Sequence, residues 1–95
     1  MNDGDIKKFV DDIHFEDHAV LYNGRKYFFN GCCCYKNEMG KEEYRFEIYD
    51  DDNGTLVFSV LSSTAEGCIE EFLSAKLFDG KTFYEVEKEM TQIDW

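Results

Sequence analysis

Apolar positions along this chain recur with two different periods, and the change of period divides it into elements. From Asp5 to Ile13 the apolar residues are Ile6, Phe9, Val10 and Ile13. That i, i+3, i+4, i+7 spacing predicts one face of a short helix, with Asp5 as its N-cap. Ala19 to Tyr22 then reads as a strand, and Asn23-Gly24 is a strong hairpin signal. A second, longer strand runs from about Lys26 to Lys36, with Gly31 inside it marking a bulge or bend.

After a turn over Asn37 to Lys41 comes the cleanest alternation in the chain. Tyr44, Phe46 and Ile48 point one way, and Glu43, Arg45, Glu47 and Tyr49 the other. That pattern implies an antiparallel sheet with one covered and one wet face. Asp50-Asp51-Asp52-Asn53-Gly54 forms the next turn, and Thr55 to Leu61 the next strand. The period then lengthens to about 3.6. Ser63-Thr64-Ala65-Glu66 fits a capping box, and Ala65, Cys68, Ile69, Phe72, Leu73 and Leu77 make an apolar stripe. Asp79-Gly80 breaks that helix, and a last helix carries Phe83, Val86, Met90 and Ile93. The expected fold is one α+β domain over residues 1–95. It is a two-layer sandwich: a helix, an antiparallel meander of three or four strands, then two helices on one sheet face.

Charge changes this picture. The chain holds 21 Asp and Glu against 10 Lys and Arg, a net charge of −11 over 95 residues, yet 17% of it is aromatic. Acidic tails stay disordered because they lack such residues, so this chain folds and then carries a strong negative field. That field repels nucleic acid, disfavours anionic membranes and favours basic protein partners. No apolar run is long enough for a membrane span, and Met1 is followed by Asn2, Asp3, Gly4 and Asp5 rather than basic residues, so the expected compartment is the cytoplasm.

Motifs for chemistry are sparse. Cys32, Cys33 and Cys34 are consecutive and lack the intervening turn that zinc ligands need, so with Cys68 they read as reduced, half-buried packing thiols. His14 and His18, with Glu16 and Asp17 between them, would share a face only in a continuous helix, and read as exposed histidines near a loop. Placing Gly54 at the sixth position of a calcium loop puts Tyr49 and Val60 where oxygen ligands belong, which excludes that motif. The expectation is therefore a non-catalytic protein with no metal and no cofactor. Its candidate partner-binding residues are Asp50, Asp51, Asp52, Asn53 and Gly54 at the hairpin tip, with Glu66, Glu70 and Glu71 on the penultimate helix. Further acids fall at Asp11, Asp12, Glu16 and Asp17, and at Glu85, Glu87 and Glu89 on the outer side of the last helix. Carboxylates about 6–7 Å apart along a strand, or about 5–6 Å apart on a helix, can imitate a run of phosphates in a Lys/Arg groove.

Several segments carry a resemblance: Asp52-Asn53-Gly54 at a strand turn, Leu56-Val57-Phe58-Ser59 as the next strand, Ile69 to Ala75 on a helix, Phe83-Tyr84, and Met90-Thr91-Gln92-Ile93. At near-constant spacing they resemble the small acidic anti-CRISPR proteins that inhibit the type II CRISPR nuclease. The second strand is longer here and bears the cysteines, and the loop before the last helix is shorter and less acidic. The resemblance implies occlusion, in which the tip and the helix acids occupy the arginines and the cationic channel that otherwise receive DNA. The alternative is a small interaction or immunity-type module that binds a protein through aromatics such as Tyr27, Tyr35, Tyr49 and Trp95.

Overall fold

The structure, a computed structural model, describes residues 3–51 and 53–93. Helix α1 spans Asp3–Asp12; strands β1 (His18–Tyr22), β2 (Arg25–Lys36), β3 (Glu42–Asp50) and β4 (Thr55–Ser62) follow. Helix α2 is Ala65–Ser74 and helix α3 is Phe83–Val86, continued by a 3₁₀ turn at Glu87–Glu89. Strand β5, Thr91–Ile93, ends the described chain. The strands form one antiparallel sheet in the order β4-β3-β2-β1-β5. This is the α+β arrangement that the change of period implies, with helices on one face.

Local chemistry accounts for the turns. Asn23 and Gly24 both take positive φ, 52° and 77°, and Tyr22 pairs directly with Arg25. That is a two-residue hairpin whose twist matches the strands it joins. In β2 the register slips between Asn30 and Cys33, a bulge at the position of Gly31. The glycine has a second reason to be there: a Cβ on it would lie 2.5 Å from the Glu16 carbonyl oxygen. The segment between α1 and β1 therefore lies directly against β2. It is fastened there by Gly31 N–H donating to Asp17 Oδ1 at 2.8 Å and Cys32 N–H donating to the Ile13 carbonyl at 3.2 Å.

Five phenylalanines hold the two layers together. Phe9 of α1 stacks on Phe83 of α3 at 5.4 Å and meets Phe29 of β2 edge-on at 5.3 Å. Phe72 of α2 lies 5.4 Å from Phe29, 5.4 Å from Phe46 of β3 and 5.5 Å from Phe83. All five are buried, with Val20, Ile48, Ile69 and Val86 around them. Tilted and edge-to-face rings at these separations add to the value of the buried area itself.

Four expectations need correction. The last helix is short: Met90 follows the 3₁₀ turn, and Ile93 lies in β5, paired with Ala19 of β1. Met90 and Ile93 are three apart, a spacing that helix and strand both tolerate, and only the distant β1 edge decides between them. In the 3₁₀ turn Glu87 is buried rather than outward. The N-cap of α2 is Thr64, not Ser63; its hydroxyl accepts from Gly67 N–H at 3.0 Å. The carboxylate that reaches back to a cap is instead Glu85, which accepts from Thr82 N–H at 3.0 Å. Helix α1 begins before Asp5, so Asp5 lies inside it rather than capping it.

Replacing Phe72 by Ala is expected to cost about 3–5 kcal/mol of unfolding free energy, read from urea denaturation. A loss under about 1 kcal/mol would mean that α2 does not depend on this ring cluster.

Candidate functional site

The hairpin tip uses its first carboxylate internally. Asp50 continues the inward alternation of Phe46 and Ile48 and is only 6% exposed. Its Oδ2 accepts from Arg25 at 2.9 Å and from the Asn53 amide at 3.2 Å. Asp51, the next residue, forms an ion pair with Lys26 at 3.1 Å. Two adjacent cations of the β1–β2 turn thus face two adjacent anions of the β3–β4 turn. Asn53 and Gly54 are exposed at the tip, and Asp52 lies outside the described residues. Burial pushes the Asp50 carboxyl up, but the hydrogen bonds from Arg25 and Asn53 outweigh it and hold the group below its ordinary value.

The second group of acids is arranged differently. Glu66, Glu70 and Glu71 are all exposed on α2, and none has a Lys or Arg ion-pair partner among the described residues. Glu66 and Glu70 are one helical turn apart and share a face. Glu66 also lies in the first turn, where the helix dipole stabilises a negative charge. Glu70 and Glu71 line a polar cleft of about 370 Å³ between α2 and the end of β4, with Ser62, Ser74, Leu61 and Gly67; no histidine lines it. Near its end Tyr44 is pushed above the ordinary phenol value, first by the adjacent Cys34 thiol, then by partial burial, with Glu42 and Glu66 adding negative charge. Glu42 and Glu66 therefore extend the acidic face from α2 to the start of β3.

These two groups do not merge. Ser62, at the α2 end of β4, is seven residues from Thr55 at the tip, which separates them by roughly 20–25 Å along an extended strand. Among the described residues, Asp50 and Asp51 of the tip are thus tied to Arg25 and Lys26, whereas Glu66, Glu70 and Glu71 on α2 have no such cation.

The cysteines and histidines also differ from expectation. Cys68 is buried and Cys32 half-buried, but Cys33 and Cys34 are exposed, because the bulge turns Cys33 onto the outer face opposite Arg45. All four are free thiols. Burial pushes the Cys32 thiol up to about 12, with the Cys68 thiol nearby adding to it.

His14 turns back on α1, its Nδ1 2.8 Å from the Val10 carbonyl. His18 is not an exposed loop residue: it opens β1, is buried, and shares the inward parity of Val20 and Tyr22. Its Nε2 lies 3.8 Å from Asp12 Oδ2 and 3.8 Å from Glu16 Oε2, and its Nδ1 lies 2.9 Å from the Gln92 amide. Asp12, Glu16 and His18 present ligand atoms all within 4.8 Å of one another. Helix α1 ends at Asp12, so His14 and His18 share no helix face; the expectation that His18 is exposed fails, and the parity of β1 was the usable signal for its burial.

No family model matches this chain, and neither any curated protein nor any solved structure does. Among the described residues, no helix is long and apolar enough to cross a membrane.

Two measurements check this geometry. In urea unfolding across a pH series, the stability that Asp50 contributes is expected intact above its ordinary value of 3.8 and lost progressively as pH falls below it. The difference between the parent and Asp50→Asn should therefore shrink over that acid range; a difference independent of pH would contradict the ion pair. With a thiol reagent near neutral pH, Cys33 and Cys34 should react rapidly and Cys32 and Cys68 only as the chain unfolds. Four equally fast thiols would contradict the packing of Cys32 and Cys68.

Proposed function

We propose that this protein is an acidic, non-catalytic inhibitor that occupies a basic groove of a nucleic-acid-processing enzyme, in the manner its anti-CRISPR resemblance implies. The observation that carries the reading is the α2 face: Glu66, Glu70 and Glu71 are exposed, lack Lys or Arg partners among the described residues, and ride on a helix locked to the sheet by Phe72. A rigid mount limits the entropy lost on binding. Clustered carboxylates accept charge-assisted bonds from Arg and Lys that would otherwise hold phosphates. In this reading α2 makes the principal contact, and the tip contributes through Asp51, whose pair with Lys26 is solvent-accessible and exchangeable.

One observation favours a second reading. Phe9, Phe72 and Phe83 all pack on the Phe29 side of the sheet, so every described helix covers that one face. On the other face Leu21, Leu56 (48% exposed) and Leu61 (51% exposed) accompany the half-buried Phe28 and Tyr49. An interaction module would use that surface, with Tyr35 and Tyr49 on it, whereas Tyr27 turns inward against Phe78. Trp95 lies outside the described residues.

A DNA-cleavage assay with a guide-loaded type II CRISPR nuclease separates the two. The parent should inhibit and compete with DNA, more strongly at low salt. Glu66→Gln, Glu70→Gln and Glu71→Gln together should weaken inhibition by roughly 10–100-fold without unfolding the domain. Asp51→Asn should weaken it less. Failure to inhibit this nuclease and other basic nucleases at low salt, or inhibition that the triple variant retains, would sink the inhibitor reading. Binding to a partner with salt-independent affinity would support the sheet-face reading instead.

A further inference from the structure

We propose that Asp12, Glu16 and His18 form a binding site for one divalent transition-metal ion of the zinc type, clipping α1, the following loop and β1 together. The three side chains come from the end of a helix, a connecting segment and the first residue of a strand. With all ligand atoms within 4.8 Å of one another, some point lies within about 2.8 Å of all three, so an inward shift of under about 1 Å reaches zinc–nitrogen and zinc–oxygen bond lengths. One imidazole with two carboxylates suits zinc, manganese or cobalt better than calcium or magnesium, which take all-oxygen sets.

The imidazole is held for the task. The His18 side chain is nine-tenths buried, packs 5.4 Å from the Phe9 ring, and has its Nδ1 at the Gln92 amide of β5. The Gln92 amide nitrogen lies at His18 Nδ1; with the amide turned so that its oxygen accepts from Nδ1–H, the Nε2 lone pair faces the two carboxylates, the usual outer-shell arrangement of a metal-bound histidine. The loop that carries Glu16 is fixed as well, by Asp17 on the Gly31 N–H and by the close approach of the Glu16 backbone to Gly31. Lys8 Nζ sits on Asp12 Oδ2 at 2.7 Å; its side chain is largely exposed, so it acts as a replaceable counter-cation. Three protein ligands leave a fourth tetrahedral position for water.

The test is titration of the full chain with zinc chloride and with cobalt chloride, followed by calorimetry, thermal unfolding and the cobalt absorption spectrum. One equivalent should bind and raise the melting temperature, and the cobalt spectrum should lack thiolate-to-metal charge transfer. Glu16→Gln, at a side chain that is 56% exposed, should leave the fold intact and weaken binding at least 10-fold. His18→Gln should abolish it, and Gln92→Ala should weaken it about 10-fold. Unchanged affinity in Glu16→Gln, a thiolate band that assigns the metal to Cys33 and Cys34, or no binding at millimolar metal would each overturn the site. None of these readouts depends on the inhibitory role.

Discussion

The burial of Phe72 against Phe29, Phe46 and Phe83 is the contact on which the remaining architecture rests. Ring to ring it ties α2 to the two central strands and to α3, and through Phe83 and Phe29 it reaches Phe9 of α1. A domain of this size has one small core, and this one must also offset the mutual repulsion of an 11-unit charge excess. Aromatic rings suit that demand because each buries a large area with few rotatable bonds. The surface can then carry carboxylates for reasons other than folding.

Those carboxylates serve unequal purposes. Asp50 is inside the fold, and its bonds to Arg25 and Asn53 close the β3–β4 turn and draw it toward the β1–β2 turn. Glu85 caps α3, and Asp17 receives a strand N–H that the bulge would otherwise leave exposed. Each satisfies a backbone donor or a cation, so its loss would be felt as structure. Among the described residues, Glu66, Glu70 and Glu71 do none of this. An acidic surface read by counting would weight these groups equally, whereas their hydrogen-bond partners divide them.

Much of the fold was legible because local chemistry and tertiary demand agree. The Asn23-Gly24 hairpin, the Gly31 bulge and the alternation over residues 43–49 each have a cause within a few residues of sequence. Strand β5 was not legible, because three residues gain strand identity only from β1. Parity could have placed two polar residues inward: Asp50 continues Phe46 and Ile48, and His18 begins the series of Val20 and Tyr22. Polarity argued for the surface and parity for the interior, and parity prevailed because both side chains find polar company there. Cys33 failed in the opposite sense, because the bulge reverses which neighbours face out.

The same bulge also positions the segment that follows α1. By turning β2, it lets the segment after α1 lie across Gly31, and that segment brings Glu16 beside Asp12 and His18. A side chain at position 31 would lift the segment and separate Asp12, Glu16 and His18, yet it would leave α2 and its glutamates where Phe72 holds them. The acidic helix face and the Asp12–Glu16–His18 cluster are therefore mounted on different parts of one core. Charge presented by the first depends on the aromatic clamp, and geometry at the second depends on a missing Cβ. A change that disturbs one without the other would separate their contributions, and it must lie outside the ring cluster, because Phe9 packs on His18 and joins Phe72 through Phe29 and Phe83.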